Sequence, residues 1–190
     1  MAAGHRNGGV ALAIAFALSM ILTGAIHVDG FADSCDALFA SVPVARRLEI
    51  FKDPRHGTFA IAGVVVTSVL WLAALGSAPA QSYPLTLATA AAAARWGAVV
   101  HLRWMPHARP GDAPAAFAER PPMWILVLGL VLVTIIARHA VVEAVTGIVA
   151  SSLALLWARS RLGGAVVGDT FGFAIVIGEV CALTSLAMLW

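Results

Sequence analysis

Hydrophobic residues in this chain occur in long blocks rather than in alternation with polar residues. Four blocks, at residues 10–26, 58–78, 140–158 and 171–190, each contain at most one charged residue. Because a helix of about 20 residues crosses a hydrocarbon core of ~30 Å, each block predicts a membrane helix. Segments 84–105 and 123–137 are weaker signals of the same kind. The pattern predicts an all-α, polytopic integral membrane bundle of about six transmembrane helices. Strand-like alternation, which a barrel would need, is absent.

Composition supports this class. Hydrophobic residues make up 61% of the 190 residues and charged residues 12%, whereas about 25% charge is usual in soluble domains. We expect one membrane-embedded domain over residues 1–190, with the first block retained as a helix and not cleaved as a signal peptide. The two cysteines imply no disulfide framework. No stripe of basic residues suggests nucleic-acid binding.

Basic residues are concentrated in three of the predicted loops. Loops 38–57, 103–122 and 159–170 hold nine of the twelve Lys and Arg residues: Arg46, Arg47, Lys52, Arg55, Arg103, Arg109, Arg120, Arg159 and Arg161. The positive-inside rule places these loops in the cytoplasm. Within the first of them, residues 43–53 predict a short helix on the membrane interface, because Val44, Leu48 and Phe51 share one face.

Three aspartates follow the first hydrophobic block. At about 100° per residue, Asp29, Asp33 and Asp36 lie within a narrow sector of one helix. Three carboxylates on one face repel one another, and a divalent cation relieves that repulsion. The alternative is a solvated polar helix end. We expect Mg²⁺ binding, with Mn²⁺ as a second option.

The basic turn "EIFKDPRHG", residues 49–57, adds a second group of charges. Asp53 is a fourth carboxylate for the metal, and Lys52 and Arg55 are suited to holding phosphate oxygens. A string of this kind on its own is usually a charged turn. Its position after the three aspartates, on the same predicted side of the membrane, favours the functional interpretation.

A third element, residues 161–179, combines glycines with acidic residues. Gly168 and Gly172 form a small-xxx-small pair for helix packing, whereas Asp169 and Glu179 are acidic residues at the mouth and in the interior of the last helix. Arg95 and Glu143 are also charges inside membrane segments. Whether these two pair with each other stays open.

Taken together, three stretches resemble the adenosylcobinamide-GDP ribazoletransferase (cobalamin synthase) family. They are "TGAIHVDGFADSCDALF", "RRLEIFKDPRHGTFAIAGVVV" and "GGAVVGDTFGFAIVIGE". The chain departs from the family in two ways. Ala37 stands where a glycine is usual after the third aspartate, and the family's usual N-terminal segment is expected to be missing.

The resemblance implies a multi-pass enzyme of the bacterial inner membrane with its active site facing the cytoplasm. It would move the phosphoryl-cobinamide part of adenosylcobinamide-GDP onto α-ribazole or its phosphate and release GMP, with Mg²⁺. The lipid bilayer and the two substrates are the expected partners, and the protein could also form a homo-oligomer. The family positions map onto Asp29, Asp33, Asp36 and Asp53 as metal ligands, and onto Asp36, Lys52, Arg55 and Asp169 as catalytic residues.

Within that scheme, Asp36 is the expected proton acceptor, Lys52 and Arg55 offset charge on the pyrophosphate and the leaving GMP, and Asp169 orients substrate or metal.

Two alternatives remain. A CDP-alcohol phosphotransferase uses a similar aspartate-rich helix, but "DSCDALF" lacks the glycine and the Ala-Arg pair of that pattern. A small cation transporter or channel would place its acidic site near the middle of the bilayer. The basic turn beside the aspartates favours an anionic phosphate substrate over a cation.

Overall fold

The computed structural model describes residues 3–108 and 120–189, with side chains from residue 8 onward, and the described part is helical. Within it, the sole strand-type pairing is an isolated bridge between His107 and Val166. The predicted all-α class is therefore confirmed. The α-helices of the described residues are α1 (Ala3–Thr23), α2 (Ile26–Phe39), α3 (Val44–Ile50), α4 (Thr58–Ser77), α5 (Tyr83–Val99), α6 (Met123–Ile136), α7 (Val141–Arg161) and α8 (Gly168–Ala187).

Within residues 3–108 and 120–189, four helical stretches are long and apolar enough to cross a membrane. They are Thr58–Ser77, Ala80–Arg103, Val141–Arg161 and Gly168–Ala187, the second being α5 together with its flanking 3₁₀ turns. The pair Gly8–Thr23 and Ile26–Phe39 counts as a fifth if it is one broken span, and Met123–His139 is apolar but shorter. The chain is a polytopic helical membrane protein whose described residues contain four to five candidate spans, and the expected count of about six is not confirmed.

The first hydrophobic block does not continue straight into the aspartates. Gly24 and Ala25 both adopt left-handed backbone angles, with φ of 58° and 55°, and the chain turns by 86° between α1 and α2. Gly24 reaches this conformation without the steric cost that a Cβ brings. Since the turn precedes Asp29, all three aspartates lie on α2, which is a separate helix.

Small residues hold α5, α7 and α8 together as the centre of the bundle. A Cβ added to Gly97 of α5 would lie 2.2 Å from Ser151 Oγ and 2.6 Å from Ile148 O on α7. A Cβ on Gly178 of α8 would lie 2.9 Å from Gly147 O. Backbones can approach this closely only where the side chains between them are small, as is common in membrane helices. These contacts fix the position of α8, whose first turn carries Asp169.

The polar loops of the described chain meet at one end of the bundle. Arg47 Nη1 donates to Arg161 O at 2.7 Å, and Arg161 Nε donates to Leu38 O at 3.0 Å. Ala108 N donates to Val166 O at 2.7 Å. The three basic loops are thus neighbours, as the expected topology requires. Arg109, which was counted in that group, lies outside the described residues.

The short helix expected near 43–53 is α3, which begins directly after Pro43. Phe51 is buried and Val44 is exposed, so one end of the apolar face packs into the protein and the other end lies at the surface. Arg47 is buried rather than solvated, because its guanidinium also donates to Ala40 O, near the end of α2. Helix α3 thereby ties the end of α2 to the end of α7.

Candidate functional site

The three aspartates of the first motif share one helix, as the sequence predicts. Asp29 is exposed, whereas Asp33 and Asp36 are partly buried. The rest of α2 is packed into the protein, through the buried residues Gly30, Phe31, Ala32, Ser34, Cys35, Ala37 and Leu38. Phe31 stacks on Phe173 of α8, with ring centroids 5.6 Å apart. Helix α2 is thus held firmly, with its carboxylates on the less buried face.

Glycines let α2 and α8 cross at close range. A Cβ on Gly30 would lie 3.0 Å from Asp169 Cα and 3.0 Å from Asp169 O. A Cβ on Gly172 would lie 2.8 Å from His27 O and 3.2 Å from Gly30 Cα. The close approach places the first turn of α8 beside the aspartate face of α2. The small-xxx-small pattern predicted helix packing at Gly172, but it contained no signal that the partner is α2.

A cluster of like charges results from this crossing. The carboxylates of Asp169, Asp29 and Asp36 are all near enough to Asp33 to repel it, and His56 provides an attractive charge when protonated. His56 Nδ1 lies 3.5 Å from Asp33 Oδ1. His56 and Asp29 also line a cavity of about 400 Å³ between α2 and α4. The structure therefore brings Asp29, Asp33, Asp36 and Asp169 together and adds His56.

Asp36 also has a structural role, which its place in the sequence does not indicate. Its Oδ2 accepts a hydrogen bond from Gly57 N, and its Oδ1 accepts one from Ala60 N at 3.0 Å, at the start of α4. A carboxylate in this position satisfies backbone donors that a helix start leaves without partners. A Cβ on Gly57 would lie 2.8 Å from Asp36 Oδ1, so the glycine that ends the basic turn makes room for this cap.

Asp53 pairs with Arg55 within the basic turn. Its Oδ1 accepts from Arg55 N at 3.1 Å and from Arg55 Nε at 2.9 Å, and its Oδ2 accepts from Arg55 Nη2 at 2.8 Å. These hydrogen bonds lower the pKa of Asp53 to about 2. The Arg55 side chain is 86% exposed and Lys52 is also exposed. The basic turn thus presents cations at the surface, while Asp53 is engaged with Arg55.

The predicted four-carboxylate metal site is not assembled in this arrangement. Among the described residues, no group of three or more His, Cys, Asp or Glu side chains has the geometry to hold a metal ion. The donor chemistry nevertheless suits a hard divalent cation, because Asp29, Asp33 and Asp169 are neighbouring carboxylates with a mutual repulsion to relieve. Metal binding by Asp29, Asp33, Asp36 and Asp53 stays a prediction.

The sequence left open which charged residues of the membrane helices pair with each other. Arg95 of α5 forms an ion pair with Glu179 of α8 through Nη1 and Oε1. Glu143 is completely buried on α7, and neither of its carboxylate oxygens has a hydrogen-bond partner among the described residues. Arg95 and Glu179 are 84 positions apart, so no local spacing could have indicated their contact.

Comparison with known proteins agrees with the resemblance carried by the three sequence stretches. A family described as cobalamin-5-phosphate synthase matches residues 1–187. The adenosylcobinamide-GDP ribazoletransferase of Deinococcus radiodurans is 35% identical over 176 residues, which are 92% of this chain and 63% of that protein. The enzymes of the same name from Brucella ovis and Brucella canis are 35% and 34% identical over 209 residues, with 95% of this chain and 79% of each relative covered.

No solved structure matches the chain. The chain spans somewhat less than two thirds of the Deinococcus relative. The match to the family extends over nearly all of the chain, including the aspartates of α2, the basic turn and the start of α8. This chain therefore belongs to the cobalamin-5-phosphate synthase family.

Proposed function

We propose that this protein transfers the phosphoryl-cobinamide part of adenosylcobinamide-GDP to α-ribazole or α-ribazole phosphate and releases GMP. The observation that carries the proposal is the cluster of Asp29, Asp33, Asp36 and Asp169 at the crossing of α2 and α8. The basic turn, residues 49–57, follows α2 in the chain. Membership of the family and the names of the relatives support the same reaction.

The basic turn supplies charge for a pyrophosphate. Lys52 and Arg55 are exposed cations, and a guanidinium can hold two phosphate oxygens at once. Arg55 can donate to a phosphate with the N–H groups of Nη1 and Nη2 that Asp53 leaves unused, or it can release Asp53 and use all of its donors. The phosphate can approach because the ion pair lies at the surface. These two side chains would offset the negative charge on the pyrophosphate and on the departing GMP.

The transfer itself is a substitution at phosphorus. The acceptor hydroxyl oxygen forms a bond to the phosphorus attached to cobinamide, and the bond from that phosphorus to the bridging oxygen breaks. GMP leaves with the bridging oxygen, and the hydroxyl proton passes to a carboxylate. Asp36 is the proposed acceptor of this proton, because Gly57 and Ala60 fix its carboxylate while each oxygen keeps a further lone pair.

Magnesium is part of the proposal. Asp29 and Asp33 would hold it, with Asp169 and Asp36 beside them, and Asp53 would join only by releasing Arg55. When bound, a divalent ion would neutralise charge on the phosphate oxygens. Asp169, at the start of α8, would orient the substrate or the metal within the same cluster.

The site would face the cytoplasm of a bacterial inner membrane. The basic loops lie at the same end of the bundle as the aspartate cluster, and loops rich in Lys and Arg are retained on the cytoplasmic side. The nucleotide-activated corrinoid would reach the cluster from that side.

The direct test is an assay of membranes containing this chain. They are incubated with adenosylcobinamide-GDP, α-ribazole phosphate and Mg²⁺, and GMP and cobamide are quantified together. The proposal predicts equal amounts of both products and their loss when EDTA is added. GMP release without cobamide, or turnover that EDTA does not affect, would contradict it.

A further inference from the structure

A second, larger cleft lies between α1, α2, α5 and α8, and none of the aspartates of α2 lines it. Its volume is about 710 Å³, within the range of about 300–1,000 Å³ typical of small-molecule sites. Most of its wall is apolar, with side chains such as Ile14 and Leu18 of α1 and Leu87 of α5. The cleft can therefore take a compact, largely apolar group of a ligand.

Polar groups interrupt this apolar wall at one place. Arg95 and Glu179, which form the ion pair between α5 and α8, both line the cleft, and their side chains are 31% and 20% exposed. Arg95 uses Nη1 for Glu179 and for Ala91 O, so Nε and Nη2 are available to donate to a ligand. A charged pair within membrane helices is costly, and such residues are usually functional.

The cleft reaches the aspartate cluster along α2. His27 and Val28 line it and directly precede Asp29, and Val28 also lines the smaller cavity that Asp29 shares with His56. Gly172 packs against His27, and Glu179 lies seven residues further along α8, a distance of about 10 Å. A ligand of that length would contact Arg95 and Glu179 at one end and lie beside Asp29 at the other.

We propose that this cleft is the acceptor subsite and holds the aromatic base of a ribazole-type nucleoside, with the ribose directed toward Asp29. This inference rests on the proposed function. The flat apolar faces of the base match the walls, Arg95 donates to an unprotonated ring nitrogen, and Glu179 holds the Arg95 guanidinium in place through their ion pair.

The apolar walls and the size of the cleft argue against its holding the pyrophosphate or the corrin ring. A pyrophosphate would lose its hydration against apolar side chains. A corrin ring with its axial adenosyl group is much larger than a nucleoside base and would remain outside. The two substrates would thus approach α2 from different sides, the acceptor through the cleft and the activated corrinoid at the charged surface.

The test uses the full chain in nanodiscs of phosphatidylethanolamine and phosphatidylglycerol. Binding of α-ribazole is measured without corrinoid, and the KM of each substrate is measured in the complete reaction. Two variants alter the cleft: Glu179→Gln removes the charge that pairs with Arg95, and Ala88→Phe fills the cleft from α5 without changing any charge. Glu143→Gln is the matched control, because Glu143 is a membrane-helix carboxylate that does not line the cleft.

The inference predicts that both cleft variants raise the Kd and KM of α-ribazole by about tenfold or more, which corresponds to about 1.4 kcal/mol. The KM of adenosylcobinamide-GDP and the properties of Glu143→Gln should stay unchanged. If the wild-type protein releases GMP but Ala88→Phe binds α-ribazole as tightly as before, the cleft is not the acceptor subsite. If the wild-type protein binds α-ribazole in the cleft but releases no GMP, the proposed function fails while the subsite stands.

Discussion

Gly30 of α2 lies directly against the backbone of Asp169 at the start of α8, so that a Cβ on Gly30 would be 3.0 Å from both Asp169 Cα and Asp169 O. Backbone atoms cannot move aside as a flexible side chain can. The glycine therefore sets how near the carboxylate of Asp169 comes to those of α2. This contact connects the packing of two helices with the charge of the candidate site.

The first prediction concerns this contact. Gly30→Ala should make the protein less stable than Gly168→Ala by about 1–3 kcal/mol, because overpacking separates α2 from α8. Gly168 is a suitable control, since a Cβ there meets no atom within 4 Å. Thermal unfolding in detergent measures the difference, and GMP release should fall in Gly30→Ala. Equal stability of the two variants would show that α2 and α8 tolerate the added methyl group.

The second prediction separates the capping role of Asp36 from its chemistry. Asp36→Ala should cost about 0.5–2 kcal/mol of stability, because Gly57 N and Ala60 N lose their acceptor. Asp36→Asn should cost less, since the amide oxygen still accepts one hydrogen bond, yet it should be equally inactive. Unfolding and GMP release are measured on both variants. The capping role is refuted if alanine is no more destabilising than asparagine.

The third prediction concerns the ionisation of Asp53. Hydrogen bonds from Arg55 lower the pKa of Asp53 to about 2, from a usual value of 3.8. Because the pKa is lowered in the folded state, the ion pair stabilises the turn at pH values above 3.8, and this stabilisation is lost as the pH falls through about 2. Arg55→Met should therefore raise the pKa of Asp53 toward 3.8, as read from its carboxyl ¹³C shift without added metal.

Arg138→Met serves as the control for that titration, because Arg138 follows α6 and is not one of the charges that act on Asp53. An unchanged pKa in Arg55→Met would mean that another group holds Asp53 ionised. Between pH 5 and 8, Asp53 stays ionised in either case, so any pH dependence of turnover in that range arises from other groups.

Local patterns predicted the parts of this protein that depend on neighbours in sequence. The spacing of Asp29, Asp33 and Asp36 was enough to place them on one helix, and the apolar face of residues 43–53 was enough to predict α3. Hydrophobic blocks predicted the membrane class. Each of these inferences uses a period or a signal contained within about twenty residues.

Contacts between distant elements could not be predicted in the same way. The contact of Gly30 with Asp169, the cap of α4 by Asp36 and the pair of Arg95 with Glu179 all depend on how helices pack in three dimensions. The turn at Gly24 was also missed, because Ala25 adopts a left-handed conformation that its residue type rarely favours. Asp53 was grouped with the α2 aspartates by charge, although its hydrogen-bond partner is two residues away.

The measurement that tests the central claim most directly is GMP release by Asp33→Asn compared with Glu49→Gln. Asp33 lies at the centre of the carboxylate cluster, whereas Glu49 is an exposed carboxylate on α3 that pairs with Arg46. Both changes replace an acid with its amide, and helix content and detergent elution report whether each variant is folded. We expect Asp33→Asn to lose at least about 100-fold in turnover and Glu49→Gln to retain it. Full turnover in folded Asp33→Asn would contradict the assignment of this cluster as the active site.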